Sequence, residues 1–359
     1  MLNSKVSLRR PPAESAAESE GAWVDLSIVV PVYYNAGELA GTMAALKREV
    51  CDAILPLTSE IVFVDDGSGD ASFDVLRSLQ RQHPDLVRIV KLTRNFGQAN
   101  ATRAGFEHAC GEFLVAISAD GQDPPSLIVE MLKAHREEGY ELVIGHRAGR
   151  DESLYRRLTS RIFYSLIRKL SFPNMPEGGF DFVGFSRRVL EAVEQAPEAA
   201  PFFQGQFLWT GYAPKLLPYH RKARAGASPS RWTFRKKLTF FIDGIVSYSD
   251  APLRVMSLTG IVCALLGIAY ACVVFVARLR GDYPFQGWAP LMIVILVIGG
   301  VQMMMLGVLG EYLWRALAEV RGRPRYIVER TLLSPPSAAP RADDAAAAVE
   351  LRSERPTHE

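Results

Sequence analysis

Four aspartates stand where chemistry could be done. Asp65 and Asp66 close the run EIVFVDD, and Asp120 and Asp123 lie in SADGQDPP, just after the run EFLVAIS. Carboxylates at a strand end supply hard oxygen ligands for a divalent cation and leave positions for diphosphate oxygens. Such a cation neutralises charge building on a departing group. Asp65 and Asp66 offer acceptors to a nucleobase N–H or a ribose hydroxyl. Each pair also has a plainer reading. VDDGSGD is equally a turn followed by a helix cap, and Pro124-Pro125 suits Asp123 as the N-cap of a helix. GSGDAS lacks both the third glycine of G-x-G-x-x-G and the lysine of a P-loop.

The elements that must hold these aspartates alternate along the chain. LSIVVPV (26–32), EIVFVDD (60–66), VRIVKL (87–92), EFLVAIS (112–118) and ELVIGHR (141–147) are apolar runs of the kind that parallel sheets bury on both faces. Helical stretches separate them, at about 37–49, 72–82, 98–109 and from Pro124 onward. This rhythm predicts a doubly wound, mainly parallel α/β sheet, whose ligands bind outside the carboxyl ends of the strands. All four aspartates fall at those ends.

Beyond Arg147 the pattern changes. LYRRLTSRIFYSLIRKL (154–170) has basic residues and apolar ones at helical spacing, as in an interfacial helix on anionic headgroups or a basic-faced helix packed on the domain. Residues 219–254 are basic as well, as juxtamembrane segments are. Residues 255–277 and 289–310 are long and apolar enough to cross a bilayer, and predict a two-helix hairpin. Basic residues before the first span and after the second (Arg315, Arg321, Arg323, Arg325, Arg330) outnumber Arg278 and Arg280 in the link, which places both flanks in the cytoplasm.

The chain thus divides into a disordered tail (1–22), a cytoplasmic catalytic domain (23–218), a basic juxtamembrane segment (219–254), a transmembrane hairpin (255–310), a cytoplasmic post-membrane segment (311–332) and a second tail (333–359). Its 41 basic and 39 acidic residues nearly cancel, which argues against a general nucleic-acid binder. The four cysteines show no C-x-x-C pairing and the histidines no H-E-x-x-H spacing, against a disulfide framework and a catalytic zinc. The N-terminus lacks the apolar core of a secretory signal.

Taken in order, VVPVYYNAGEL, IVFVDDGSGD, LTRNFGQANATRAG, ADGQDPP, GGFDFVGFSRRV and SRWTF…APLR, followed by two spans, resemble family-2 glycosyltransferases of the GT-A fold. The likeness is to their polyprenyl-phosphate glycosyltransferases, which act on undecaprenyl or dolichyl phosphate. It implies an inverting enzyme of the inner (cytoplasmic) membrane, with a UDP- or GDP-sugar as donor and Mg2+ or Mn2+ as cofactor, and leaves a homo-oligomer open. It implies that Pro31, Tyr33 and Asp66 hold the nucleoside, with Asp65 nearby. Asp120 and Gln122 would bind metal and diphosphate, and Asp181 would sit beside the sugar or acceptor. Arg147, Arg156 and Ser160 would grip the lipid phosphate, while Ser230 and Arg231 would close over the diphosphate.

The chain departs from the family pattern at several points. Ser118-Ala119-Asp120 stands for the usual D-x-D, Tyr34-Asn35 for N-E, Val183 for an arginine, and the G-x-S turn before Trp232 is longer by a residue. A synthase elongating a polysaccharide and a relative without activity are the rival readings. The first usually carries more spans and a Q-x-x-R-W signature, which is absent here.

Overall fold

The computed structural model describes residues 24–147, 182–195, 203–221, 249–280 and 289–332, with isolated positions between 165 and 180 and at 246. The basic helix expected over 154–170 and most of the basic stretch after Tyr219 lie outside the described residues.

The five apolar runs become the strands β1 (Val24–Val32), β2 (Ser59–Asp65), β3 (Val87–Leu92), β4 (Gly111–Ala116) and β5 (Leu142–Arg147), and two strands that the runs did not announce follow, β6 (Phe182–Ser186) and β7 (Pro214–Tyr219). Between and after them lie α1 (Leu39–Leu46), α2 (Ser72–Gln82), α3 (Gln98–His108), α4 (Ser126–Glu138), α5 (Arg187–Gln195) and α6 (Phe203–Trp209). The helix expected over 37–49 ends its α-helical part at Leu46 and continues as a π-helical turn, Lys47–Cys51.

Strand periodicity divides the core. Leu26, Ile28, Val30 and Val32 of β1 point to one face with Ile61, Phe63, Ile89 and Val115, where they meet Met43 and Leu46 of α1, Leu76 of α2 and Met131 of α4. Val29, Val62, Val64, Val90 and Leu114 point to the other, against Ala101, Ala104 and Phe106 of α3 and Val189 and Leu190 of α5. Side chains that alternate faces every residue bury both faces only when helices cover each, so the runs must be apolar throughout. The sheet is mixed as well as doubly covered. β1 pairs parallel with β2 and β4, β2 with β3, and β5 with β7, whereas β6 is antiparallel to β4 and β5.

Two long helices follow, α7 (Ala251–Leu279) and α8 (Ala289–Val320), of 29 and 32 residues. At about 1.5 Å per residue each exceeds a hydrocarbon core of roughly 30 Å. Their apolar side chains, Leu265, Phe275, Ile293 and Leu296 among them, are exposed, and neither hydropathic window is buried inside the protein. That is the surface a lipid-facing helix presents and not that of a core helix. After α8 the chain returns to the sheet as β8 (Val328–Leu332), antiparallel to β3, giving the eight-stranded order β7-β5-β6-β4-β1-β2-β3-β8. Lys91 pairs with Glu329 at 2.9 Å, and the Tyr326 hydroxyl donates to Glu107 on α3.

Helix α3 lies close on the sheet because Gly105 has no side chain. A Cβ there would meet Val29 Cγ1 at 2.3 Å and Val64 Cγ2 at 3.0 Å. Gly105→Val should therefore destabilise the folded protein by about 1–3 kcal/mol through overpacking, read as a lower thermal unfolding midpoint in detergent.

Candidate active site

The carboxyl ends of β1, β2 and β4 open into a cleft of about 220 Å3 lined by Pro31, Tyr33, Asn35, Asp66, Ser118 and Asp120, with Asn95, Gln98 and Ala101 at its other wall. The lining residues come from strand ends, from the loops beyond them and from the first turn of α3, the place a parallel sheet reserves for ligands. Tyr33 and Tyr34 stand half out of the protein at the rim and meet edge to face at 4.7 Å. Tyr34 has φ 57, a left-handed conformation that costs a non-glycine residue about 1 kcal/mol or more. Its N–H donates to Ser68 Oγ at 3.2 Å, and the Asn35 N–H donates to Ser72 Oγ at 3.0 Å.

The two aspartates where β2 ends have different tasks. Asp66 accepts the N–H groups of Phe96 (2.7 Å) and Gly97 (3.0 Å), so it fastens the loop carrying Asn95 across the cleft. That approach requires Gly67, at φ +67, because a Cβ there would lie 2.5 Å from the Arg94 carbonyl carbon. Asp65 is fully buried and does not line the cleft. Its Oδ1 accepts the Ser68 N–H at 3.0 Å, while Oδ2 has no hydrogen-bond partner. Burial pushes both carboxyls above their ordinary range.

Asp120 accepts the Gln122 N–H at 3.2 Å through Oδ1, and its Oδ2 lies 3.3 Å from Arg221 Nη2. Gln122 contributes this amide and does not line the cleft. Asp123 is not the helix cap that the proline pair predicts. Pro125 occupies the N-cap position of α4 and no side chain caps that end. Asp123 is instead buried, accepts the Tyr219 hydroxyl at 3.0 Å and has Arg221 Nε 3.2 Å from Oδ1. A carboxylate without water gains more from a cation and a hydroxyl than from a solvated helix end. Burial raises its pKa, and Arg221 opposes the rise.

Arg147 and Tyr219 are register partners on β5 and β7, and the Arg147 side chain hydrogen-bonds the Tyr219 hydroxyl. Burial, with Asp123 beside it, pushes the Tyr219 pKa up to about 12, so the phenol remains a donor at neutral pH. One polar chain thus runs Arg147, Tyr219, Asp123, Arg221, Asp120. It joins the arginine expected at an acceptor phosphate to the carboxylate expected at a metal. Arg156, Ser160, Asp181, Ser230 and Arg231 lie outside the described residues.

Sequence reasoning gave no individual role to Asn95, Gln98, Tyr219 or Arg221. The first two sit in the quoted LTRNFGQANATRAG run, whose polar residues were a usable signal. Among the described residues no three His, Cys, Asp or Glu side chains cluster. The donor set still fits a hard divalent ion. Asp120 and Ser118 offer oxygens on one wall, Asp120 already draws a cationic side chain, and such ions commonly complete their shell with phosphate and water.

A cleft at the strand ends of a doubly covered sheet, followed in the chain by an exposed apolar hairpin, is the arrangement of a membrane-associated α/β domain with a ligand site. Residues 27–194 match glycosyl transferase family 2, and the chain belongs to that family. Residues 251–315 match the GtrB C-terminal hairpin. An uncharacterized glycosyltransferase of Synechocystis sp. is 36% identical over 85% of this chain and 95% of its own length. The bactoprenol glucosyl transferase of Shigella phage SfII is 34% identical over 85% of this chain and 98% of its own. Among solved structures, a mannosyltransferase of Pyrobaculum calidifontis superposes with a TM-score of 0.43 at 15% identity, covering 96% of this chain and 87% of its own.

The burial of Asp65 has a measurable consequence. Its carboxyl is protonated in the folded state at a pH where the unfolded chain has already ionised, so ionised Asp65 costs stability at neutral pH. The cost fades as pH falls through the raised folded value toward the ordinary value near ~4. Asp65→Asn keeps an acceptor for Ser68 and removes the charge. Its stability relative to wild type should be more favourable at neutral pH than near pH ~4, as thermal unfolding at the two pH values will measure.

Proposed function

We propose that this glycosyltransferase moves a sugar from a UDP- or GDP-sugar to a polyprenyl phosphate at the cytoplasmic face of the inner membrane, by direct displacement with inversion. The observation that carries the reading is the polar chain from Asp120 to Arg147, which sets an anionic donor pole and a cationic acceptor pole at one end of the sheet. The similarity to bactoprenol glucosyl transferases over nearly their whole length supports the same acceptor class.

The chemistry asks little of a base. A phosphate monoester has its second pKa near ~6, so the attacking oxygen of a lipid phosphate is already anionic at neutral pH. The remaining tasks are to hold two anions against each other and to stabilise the leaving diphosphate. Tyr33, Pro31 and Asp66 would receive the nucleoside in the cleft, with Asp65 stiffening the turn beneath it. Asp120, with Gln122, would hold Mg2+ or Mn2+, which when bound supplies neutralisation of the nucleoside diphosphate's charge. Arg147, joined by Arg156 and Ser160, would bind the acceptor phosphate, a task suited to a planar guanidinium fork. Asp181 would orient the sugar, and Ser230 and Arg231 would meet the diphosphate. The basic flanks of α7 and α8 favour a cytoplasmic catalytic domain.

Membranes containing the protein, given a panel of nucleotide-sugars and undecaprenyl phosphate, should form one glycolipid identifiable by mass spectrometry. Asp120→Asn should lower transfer by about 100-fold or more while the protein stays folded and membrane-bound. Arg147→Ala should raise the KM for lipid phosphate with nucleotide affinity preserved. Retained turnover in the first variant, or equal loss of both substrates in the second, would contradict the division into donor and acceptor poles.

A further inference from the structure

Asp120 and Asp123 share one guanidinium, and they share it unequally. Arg221 Nη2 lies 3.3 Å from Asp120 Oδ2, and Nε lies 3.2 Å from Asp123 Oδ1. The Nε–H is buried yet makes no aligned hydrogen bond, so the contact with Asp123 is one of charge rather than of direction. Neither carboxylate receives the two parallel bonds of a fork–fork pair. The partners also differ in their need for Arg221. Asp123 is 4% exposed and depends on a neighbouring cation, while Asp120 is 15% exposed and faces the cleft. Tyr219 holds Asp123 in place from its other side.

The oxygen that Arg221 covers on Asp120 belongs to the carboxylate assigned to the divalent cation. A guanidinium and a divalent ion repel, and each is attracted to that same oxygen. Ser118 stands where the family pattern has a second carboxylate, so among the described residues Asp120 is the acid that this wall of the cleft offers to either cation.

We propose that Arg221 is an exchangeable counter-ion. In the donor-free protein it supplies the positive charge at Asp120. When a cation enters with a nucleoside diphosphate it gives up Asp120 and remains by Asp123, where its Nη2 donors are free to meet the diphosphate. The inference rests on the cation reading proposed above, and it makes Arg221 a positioning residue that ties cation affinity to donor occupancy.

The test is Mn2+ binding by the detergent-solubilised full chain, followed by electron paramagnetic resonance of free Mn2+, with and without UDP or GDP. Without nucleotide, Arg221→Gln should bind Mn2+ on the order of tenfold more tightly than wild type, the loss of one charge-assisted contact. Nucleotide should then tighten Mn2+ binding less in the variant than in wild type. Arg221→Lys keeps the charge and should stay near wild type. Unchanged or weaker Mn2+ affinity in Arg221→Gln overturns the inference, and so does lysine behaving as glutamine. If wild type binds no Mn2+ even with nucleotide, the cation reading itself fails, a result distinct from intact binding that ignores Arg221. Should Arg221→Gln not fold, its combination with Asp123→Asn relieves the uncompensated carboxylate, leaves Asp120 untouched and serves the same comparison.

Discussion

Negative charge withdrawn from water is the condition around which this site is assembled. A sheet buried on both faces gathers its useful carboxylates where the strands end, and there the helices and loops also shut out solvent. Asp65, Asp66 and Asp123 are each nearly or fully buried, and each is met by a different compensation. A turn amide serves Asp65, two loop amides serve Asp66, and a phenol with a guanidinium serves Asp123. Of the four, Asp120 is the one that is not buried, although Asp66 lines the same cleft. The buried groups shape the cleft and the partly exposed Asp120 confronts whatever enters it.

The same partition explains what could be read before any coordinates. Runs such as LSIVVPV announce strands covered on both sides, because every second residue must bury whichever face it takes. The aspartates at the ends of those runs marked the cleft, and Pro31, Tyr33, Asp66 and Asp120 do line it. The partners of the carboxylates were not legible. Tyr219 and Arg221 lie about a hundred residues from Asp120 and Asp123, and the strand pairing that brings them together leaves no local pattern. Asp123 reads as a cap in the sequence for that reason, since the prolines beside it are a near signal and the tyrosine a distant one. The left-handed backbone at Tyr34 was equally hidden, being held by Ser68 and Ser72 from another turn.

The antiparallel members of the sheet were likewise beyond periodicity. A strand's burial pattern carries no record of its direction, and β6 and β8 are reversed by the route of the chain. In β8 the run Val328–Leu332 is short, charged and half exposed, as an edge strand tends to be. Its composition gives no reason to attach it to a sheet whose preceding strand is more than a hundred residues away. The ladder with β3, the Lys91–Glu329 pair and Tyr326 on Glu107 make that attachment.

That attachment bears on the order of assembly. The last strand of the sheet is translated after α7 and α8, so as the polypeptide emerges the edge of β3 has no neighbour until both apolar helices have left the ribosome. Completion of the water-facing domain therefore waits on the membrane hairpin. A chain stopped before Val328 leaves the β3 backbone unpaired along one side, a template for another strand. Biogenesis thus couples two compartments, and the domain that does the chemistry is closed by a segment that first has to follow the lipid-facing pair out of the exit tunnel.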